Sequence, residues 1–381
     1  MTSVAVVGVG MIPFGKHPER SLVDMASEAA YLALKDAGIE PAQVEAGFFA
    51  NAFASRLFGD LTVGQNVFWE VGINRVPVVN VENACTSAST AFYLGYNMIA
   101  AGQAEVVMAV GAEKMYVPEL GLLDSGLTEL NTQLGLVAPA SFALRAVRHM
   151  TEFGTTPEQL ARVTVKSRNH AQYNPFAQFR EPVTVEEVLA APMIVDPFTR
   201  LQCCPNADGA AAAILCSPRL AQRLGRAVNV EAAILCTGNY ENPQDLVRWE
   251  TDYRACGLAY ERAGIGPEDL DVVEVHDAFT IAEILHYEAL GLCAEGEGGK
   301  LVEEGHTALG GRIPVNVSGG LLSRGHPPGA TGLAQVFELV TQLRNEAGGR
   351  QVAGAKVGLA QIMGGDKLGD TKSCTIIVLS V

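Results

Sequence analysis

A cysteine set among small side chains just ahead of a helix is placed to act as a nucleophile, and Cys85, in Glu82-Asn-Ala-Cys-Thr-Ser-Ala-Ser-Thr90, has that setting. Free N–H groups and the positive end of a helix dipole favour a thiolate, and small neighbours admit a substrate. An inert buried cysteine would more often sit among Val, Leu and Ile. His326 lies in Ser323-Arg-Gly-His-Pro-Pro-Gly-Ala-Thr-Gly332, where glycines allow close backbone approach and two prolines stiffen the turn before a helix. Such rigidity suits a placed general base. His276, in Glu274-Val-His-Asp-Ala-Phe279, ends an apolar run and has the chemistry to donate a hydrogen bond to a developing oxyanion. Its neighbour Asp277 either orients another group or caps the next helix. Gly364 and Gly365 either aim backbone N–H groups at a substrate oxygen or form an ordinary tight turn. The opening Gly8-Val-Gly-Met-Ile-Pro13 is not a dinucleotide fingerprint, because Pro13 stands where the third glycine belongs. Adjacent Cys203 and Cys204 cannot chelate one metal favourably, and Cys216, Cys236, Cys256, Cys293 and Cys374 read as structural. No metal site is therefore expected.

The elements that position these residues follow from a repeat. Residues 33–53 (ALKDAGIEPAQVEAGFFANAF) align without gaps to residues 259–279 (AYERAGIGPEDLDVVEVHDAF), with seven of the twenty-one positions identical. Each copy reads as a helix stopped at Ala-Gly, a proline three residues later, and a buried strand running into Ala-Phe. Beyond the first copy, an apolar strand at 78–81 leads to Cys85 and a small-residue helix over 87–101. Beyond the second, a strand at 315–317 leads to His326 and a helix over 329–343. Cys85 and His326 thus occupy equivalent helix entrances, and two pseudo-symmetric β-α-β-α-β halves would bring them together. Apolar β-branched runs at 4–9, 106–110, 228–235, 272–275 and 375–381 alternate with Ala-rich helical stretches, which is an α/β pattern. The expected organisation is an N-terminal half over 1–113 and 196–222, an inserted lobe over 114–195, and a C-terminal half over 223–381. The Gly- and Glu-rich stretch 294–311 reads as an exposed loop.

Composition removes several function classes. The 381 residues are 48% hydrophobic and 18% charged, enough for substantial cores, and the net charge of −15 repels nucleic acid and anionic membrane surfaces. No apolar run is long enough for a membrane span, and a cytoplasmic location is expected.

These residues resemble the thiolase family, most closely its sterol-carrier-protein and lipid-transfer branch, over nearly the whole chain. The likeness rests on Cys85-Thr86-Ser87, on Asn206-Ala-Asp-Gly-Ala-Ala-Ala212, on Asn316-Val-Ser-Gly-Gly320, and on Gly325-His326-Pro327 with Gly329-Ala-Thr-Gly332. His-Asp-Ala-Phe at 276–279 resembles a variant of the family's Asn-Glu-Ala-Phe motif and puts His276 where an oxyanion-binding asparagine stands. The resemblance implies a five-layer αβαβα fold and a ping-pong reaction in which Cys85 takes an acyl group from a coenzyme A thioester, with His326 removing its proton. A second thioester then attacks to give a 3-oxoacyl product, or free coenzyme A drives the reverse cleavage. Ser87, Asn316, Ser318 and Gly319, which fall in these motifs, are the candidate substrate-binding residues. The coenzyme A thioester is substrate, with no permanently bound cofactor. A homodimer formed through the strand before Cys85 is implied, and some relatives work with a small zinc-ribbon and OB-fold protein. One departure stands out: the C-terminal Cys-x-Gly motif is absent, with Ile362 or Met363 in the cysteine's place, and position 278 is alanine. Two alternatives stay open, a retro-aldol lyase acting on a β-hydroxyacyl-CoA and a non-catalytic carrier of acyl-CoA or lipid.

Overall fold

The computed structural model describes residues 3–117, 129–239, 245–367 and 369–381. Its strands are β1 (Val4–Met11), β2 (Ala46–Ala50), β3 (Val78–Val81), β4 (Val106–Glu113), β5 (Met193–Val195), β6 (Phe198–Thr199), β7 (Gly209–Cys216), β8 (Val228–Thr237), β9 (Val272–Glu274), β10 (Val357–Lys367) and β11 (Asp370–Ser380). Apart from the β5–β6 pair they form one hydrogen-bonded series in the order β3-β2-β4-β7-β1-β8-β11-β10-β9.

That order is nearly a palindrome about the β1–β8 junction, where Val4, Ala5 and Val6 pair antiparallel with Val230, Asn229 and Val228. Outward from the junction each side runs through two antiparallel ladders and then a parallel one: β1–β7–β4–β2, and β8–β11–β10–β9. β3 adds a parallel edge to the first side. On the second side its counterpart is only a parallel bridge between Val273 and Val315, shorter than the strand expected at 315–317. The duplication read from the sequence is therefore present as a duplicated topology.

The repeated turn chemistry does what its residue types require. The Leu22–Ala37 helix starts at an Ser21 N-cap and ends at Gly38 (φ 67°), and the Glu250–Ala263 helix ends at Gly264 (φ 69°). Both glycines occupy the left-handed region that stops a helix and satisfies its last carbonyls. A proline-led 3-10 turn follows in each copy, Pro41–Gln43 and Pro267–Asp269.

The Ser87–Ala100 and Pro328–Leu343 helices fill the space between the two groups of strands. Ala88, Ala91 and Phe92 from the first join Leu333, Ala334 and Val336 from the second in one buried cluster. Each large side chain buried there contributes roughly 1.5–3 kcal/mol. The crossing is close: a Cβ on Gly332 would lie 2.7 Å from the Ser89 amide nitrogen. Two further clusters bury the outer helices, one beneath Leu22–Ala37 and one beneath Glu250–Ala263. The layers are thus α-β-α-β-α. Strands β4 and β7 lie between helical layers, and every residue in them is buried.

Of the expected lobe at 114–195, residues 118–128 lie outside the described residues. The remainder carries the Ala138–Phe153, Pro157–Ala171 and Val185–Ala190 helices and strand β5, whose partner β6 (Phe198–Thr199) lies just past the expected boundary at 195. Thr156 caps the Pro157–Ala171 helix in a reciprocal box with Gln159. The stretch 294–311 differs from the exposed loop expected of it. It contains the Gly298–Glu303 helix, whose Leu301 and Val302 are buried. A Cβ on Gly299 would fall 2.4 Å from Gln159 Oε1 and one on Gly296 2.4 Å from Phe153, so these two glycines permit close packing, whereas Gly305 (φ 76°) and Gly310 (φ 84°) stand in open space as turn glycines in the exposed part of the stretch. No helix among the described residues is long and apolar enough to cross a membrane.

Candidate active site

β3 delivers the chain to a tight loop, and the loop presents Cys85. Ala84 sits at φ 48°, an uncommon conformation for a residue with a Cβ. Side chains on both flanks hold it there. Ser87 Oγ accepts from the Asn83 amide (2.8 Å) and donates to the Ala84 carbonyl (2.7 Å), and Thr86 Oγ1 donates to the Asn83 carbonyl (2.6 Å). Ser87 thus braces the loop that carries Cys85, the candidate nucleophile.

From the other half, Gly325 (φ 107°) turns the chain into His326, which stands just ahead of the Pro328–Leu343 helix. His326 Nε2 lies 3.2 Å from Cys85 Sγ. On the far side of the ring, Nδ1 lies 2.9 Å from Thr331 Oγ1, whose hydroxyl donates to the Pro327 carbonyl at 2.9 Å. With its proton committed to Pro327, Thr331 Oγ1 accepts from Nδ1–H. That leaves the Nε2 lone pair facing the thiol, the tautomer a general base needs.

Burial sets the charge states. It pushes the Cys85 thiol up to about 12, the Glu113 carboxylate adding to the effect, and it pushes His326 down to about 3, helped by Arg324. The resting pair is therefore a neutral thiol bonded to a neutral imidazole. The thiolate favoured by a helix end, read from the sequence, is outweighed by desolvation.

His276 is 4% exposed and completes the cluster, its ring centroid 5.3 Å from that of His326. The donor atoms of Cys85, His276 and His326 all lie within 4.8 Å of one another. The His276 backbone is pinned: its amide donates to Gln361 Oε1 (3.0 Å), and its carbonyl lies 3.1 Å from His286 Nε2. Neither ring nitrogen of His276 has a hydrogen-bond partner among the described residues. Burial, then the nearby His326 and His286, hold it well below the usual imidazole range, so it is neutral and offers one donor and one acceptor.

The two glycines of β10 differ. Neither forms the tight turn that was the alternative reading; both lie within the strand. A Cβ on Gly364 would meet the Asn83 carbonyl at 2.9 Å and the Thr86 amide at 3.0 Å, so this position lies against the nucleophile loop. A Cβ on Gly365 (φ 70°) would meet only the Lys372 side chain.

Asn316, Ser318 and Gly319 form a strut in the C-terminal half. Asn316 Oδ1 accepts from the Val275 amide (2.9 Å) and its Nδ2 donates to Glu283 (2.6 Å). Ser318 donates from its amide and hydroxyl to Glu274, and Gly319 (φ 96°) abuts Ala171. Their hydrogen bonds go to protein groups next to the His276 segment rather than to Cys85 or His326. Asp277 does not cap the next helix, Thr280–Ala289, whose N-cap is Phe279 without a side-chain bond; it accepts instead from the Leu321 and Leu322 amides of the distant Gly320–Arg324 helix and so ties the His276 segment to it.

Three neighbours of the Cys85–His276–His326 cluster escaped sequence reasoning. Thr331, within the quoted Gly-Ala-Thr-Gly, fixes the His326 tautomer. Glu113, at the end of β4, accepts from Asn51, Ala52, Phe53 and, across the halves, Gly329, yet burial still pushes it up to about 7. An acid closing an otherwise apolar strand was the available signal. The third is Cys204, whose amide donates to the Ala278 carbonyl at 2.8 Å, beside the His276 segment.

Comparison with known proteins gives a consistent set of relatives. Residues 4–219 match the family described as thiolase, N-terminal domain, and residues 236–378 match the thiolase C-terminal domain-like family. The chain is 42% identical to sterol carrier protein 2 of Oryctolagus cuniculus, covering 95% of this chain and 70% of that protein. It is 41% identical to an acetyl-CoA acetyltransferase of Methanothermobacter thermautotrophicus, covering 96% and 97%. Among solved structures, one named Ltp2-ChsH2(DUF35) aldolase superposes with a TM-score of 0.84 at 26% identity, covering 99% of this chain and 97% of that one.

Proposed function

The chain belongs to the thiolase family, and from that premise we propose that it is a coenzyme A thioester-dependent C-acyltransferase working through an acyl-Cys85 intermediate. The observation that carries this reading is the 3.2 Å contact between Cys85 Sγ and a His326 Nε2 whose lone pair is directed at it. As the sulfur attacks the thioester carbonyl, its proton passes to Nε2. The developing oxyanion takes a hydrogen bond from His276, with backbone N–H groups near Gly364 as further donors. Collapse expels coenzyme A, protonated by His326, and leaves the acyl group on Cys85. The second thioester loses an α-proton and attacks the acyl-enzyme, giving a 3-oxoacyl-CoA and restoring the thiol; free coenzyme A runs the sequence backwards. Ile362 and Met363 can move no proton, so His276 and His326 carry the acid–base work of the second half-reaction.

In this reading the coenzyme A thioester is the substrate and no resident cofactor is needed. The lobe at 114–195 covers the site between the halves 1–113 plus 196–222 and 223–381; Ser87, Asn316, Ser318 and Gly319 act on the substrate pocket from behind, Ser87 by bracing the Cys85 loop and the other three by holding the His276 segment. A cytoplasmic homodimer would form along edge strand β3, where Val79 is 46% exposed and the nearby Trp69 and Leu61 are each 74% exposed. The solved neighbour named for two components supports a protein partner, and a small zinc-ribbon and OB-fold protein is the partner proposed.

A second reading has a specific observation behind it. That same neighbour is named an aldolase, and retro-aldol cleavage of a β-hydroxyacyl-CoA needs an acid and a base but no acyl-enzyme. Steady-state kinetics separate the two. An acyltransferase gives parallel double-reciprocal lines with a 3-oxoacyl-CoA and coenzyme A as varied substrates. Cleavage of a β-hydroxyacyl-CoA without coenzyme A, together with inertness toward 3-oxoacyl-CoA, would overturn the first reading in favour of the lyase.

A further inference from the structure

The cluster made by Cys85, His276 and His326 has the donor set of a soft-metal site with one position open. Zinc takes thiolate sulfur at about 2.3 Å and imidazole nitrogen at about 2.0–2.1 Å, so bound sulfur and nitrogen stand roughly 3.5 Å apart in a tetrahedron. Cys85 Sγ and His326 Nε2 are already 3.2 Å apart, and all three donor atoms fall within 4.8 Å of one another. Two further features point to a ligand. His276 is buried with both ring nitrogens unpartnered among the described residues, so turning it toward an ion breaks no hydrogen bond seen there. His326 is oriented through its other nitrogen by Thr331, the arrangement that outer-shell partners give to metal-binding imidazoles. No spacing in the sequence announces this site, because its ligands come from positions 85, 276 and 326 and meet only through the duplicated fold.

We propose that this cluster binds one zinc ion or a similar soft divalent cation per chain, as a reversible inhibitory ligand competing with the acyl-CoA. Binding replaces the Cys85 S–H bond with an S–Zn bond and releases that proton to solvent. Each imidazole gives a lone pair, and the fourth position is left to water. The ion holds both the nucleophile and the base, so acylation stops until the ion leaves.

Cobalt(II) is the probe, because thiolate ligation produces a charge-transfer absorption that does not depend on turnover. Titrating the purified full chain should give this band with a stoichiometry of one, and zinc should displace it. Cys85→Ser should abolish the band, and His276→Ala should weaken binding by at least about tenfold. Thr331→Val should weaken it by about 10- to 100-fold. Circular dichroism of each variant confirms folding, and tetrahedral d–d bands report the geometry in any variant that binds. No cobalt band in the wild-type chain would overturn the proposal. So would a band that survives in Cys85→Ser, or a His276→Ala affinity equal to wild type. Only the competition with acyl-CoA rests on the acyl-transfer reading, so loss of activity in the assay above and absence of metal binding here are separate failures.

Discussion

In the proposed reaction, Cys85 is a nucleophile kept quiet by its surroundings until substrate arrives. With the thiol pushed up to about 12 and the imidazole down to about 3, neither group ionises alone near neutrality, so the proposed acylation requires proton transfer to accompany attack of the sulfur on the carbonyl. The sign is testable. Only the thiolate is alkylated, so the iodoacetamide rate at Cys85, followed by peptide mass spectrometry, should climb about tenfold per pH unit from pH 7 to beyond pH 10. A plateau reached below pH 8 would mean a preformed ion pair. His326→Ala should slow acylation by about 10²–10⁴, read as a pre-steady-state burst, with little change in thermal stability. Cys85 and His326 were legible in the sequence because the repeat gave each a partner position. Thr331 was not, since its role depends on a hydroxyl five residues along a helix meeting a ring nitrogen. Glu113 was not, since its donors come from a neighbouring loop and the opposite half.

The nucleophile loop and β10 share one close approach, which sets a requirement on the element rather than on any single reacting atom. Gly364→Ala places a methyl group 2.9 Å from the Asn83 carbonyl and 3.0 Å from the Thr86 amide, so strand or loop must shift. We expect kcat/KM to fall by about 10²-fold, the scale associated with an ångström of misplacement, while far-ultraviolet circular dichroism stays native. Activity close to wild type would show that the strand does not position the loop. The sequence carried the strand order of this region only in part. The Ala-Gly stops and prolines announced the two repeated helix-to-strand units, and the structure has both. The 294–311 stretch was legible only in part: Gly305 and Gly310 are open turn glycines, but Gly299 packs against Gln159, far away in the chain, and glycine alone does not tell the two apart.

The two halves share a layer of helices and a strand junction, so the molecule should unfold as a unit. Leu333 is fully buried where the Pro328–Leu343 and Ser87–Ala100 helices pack. Leu333→Ala should cost about 2–5 kcal/mol, and urea denaturation should show one transition at a lower midpoint, not two. Two separated transitions would mean that the halves fold independently. At this scale the duplication was readable because both copies kept the same turn chemistry, whereas the nine-strand continuity through Val4–Val6 and Val228–Val230 has no sequence signature. The bringing together of a thiol and an imidazole from opposite halves is what the whole architecture accomplishes, and one measurement addresses it. The chain is incubated with isotopically labelled acetyl-CoA, quenched in acid, digested and mapped by mass spectrometry. The account predicts one labelled acetyl group, as a thioester on the peptide carrying Cys85 and absent from Cys85→Ser; label elsewhere, or an active enzyme whose Cys85 never carries it, would contradict the account.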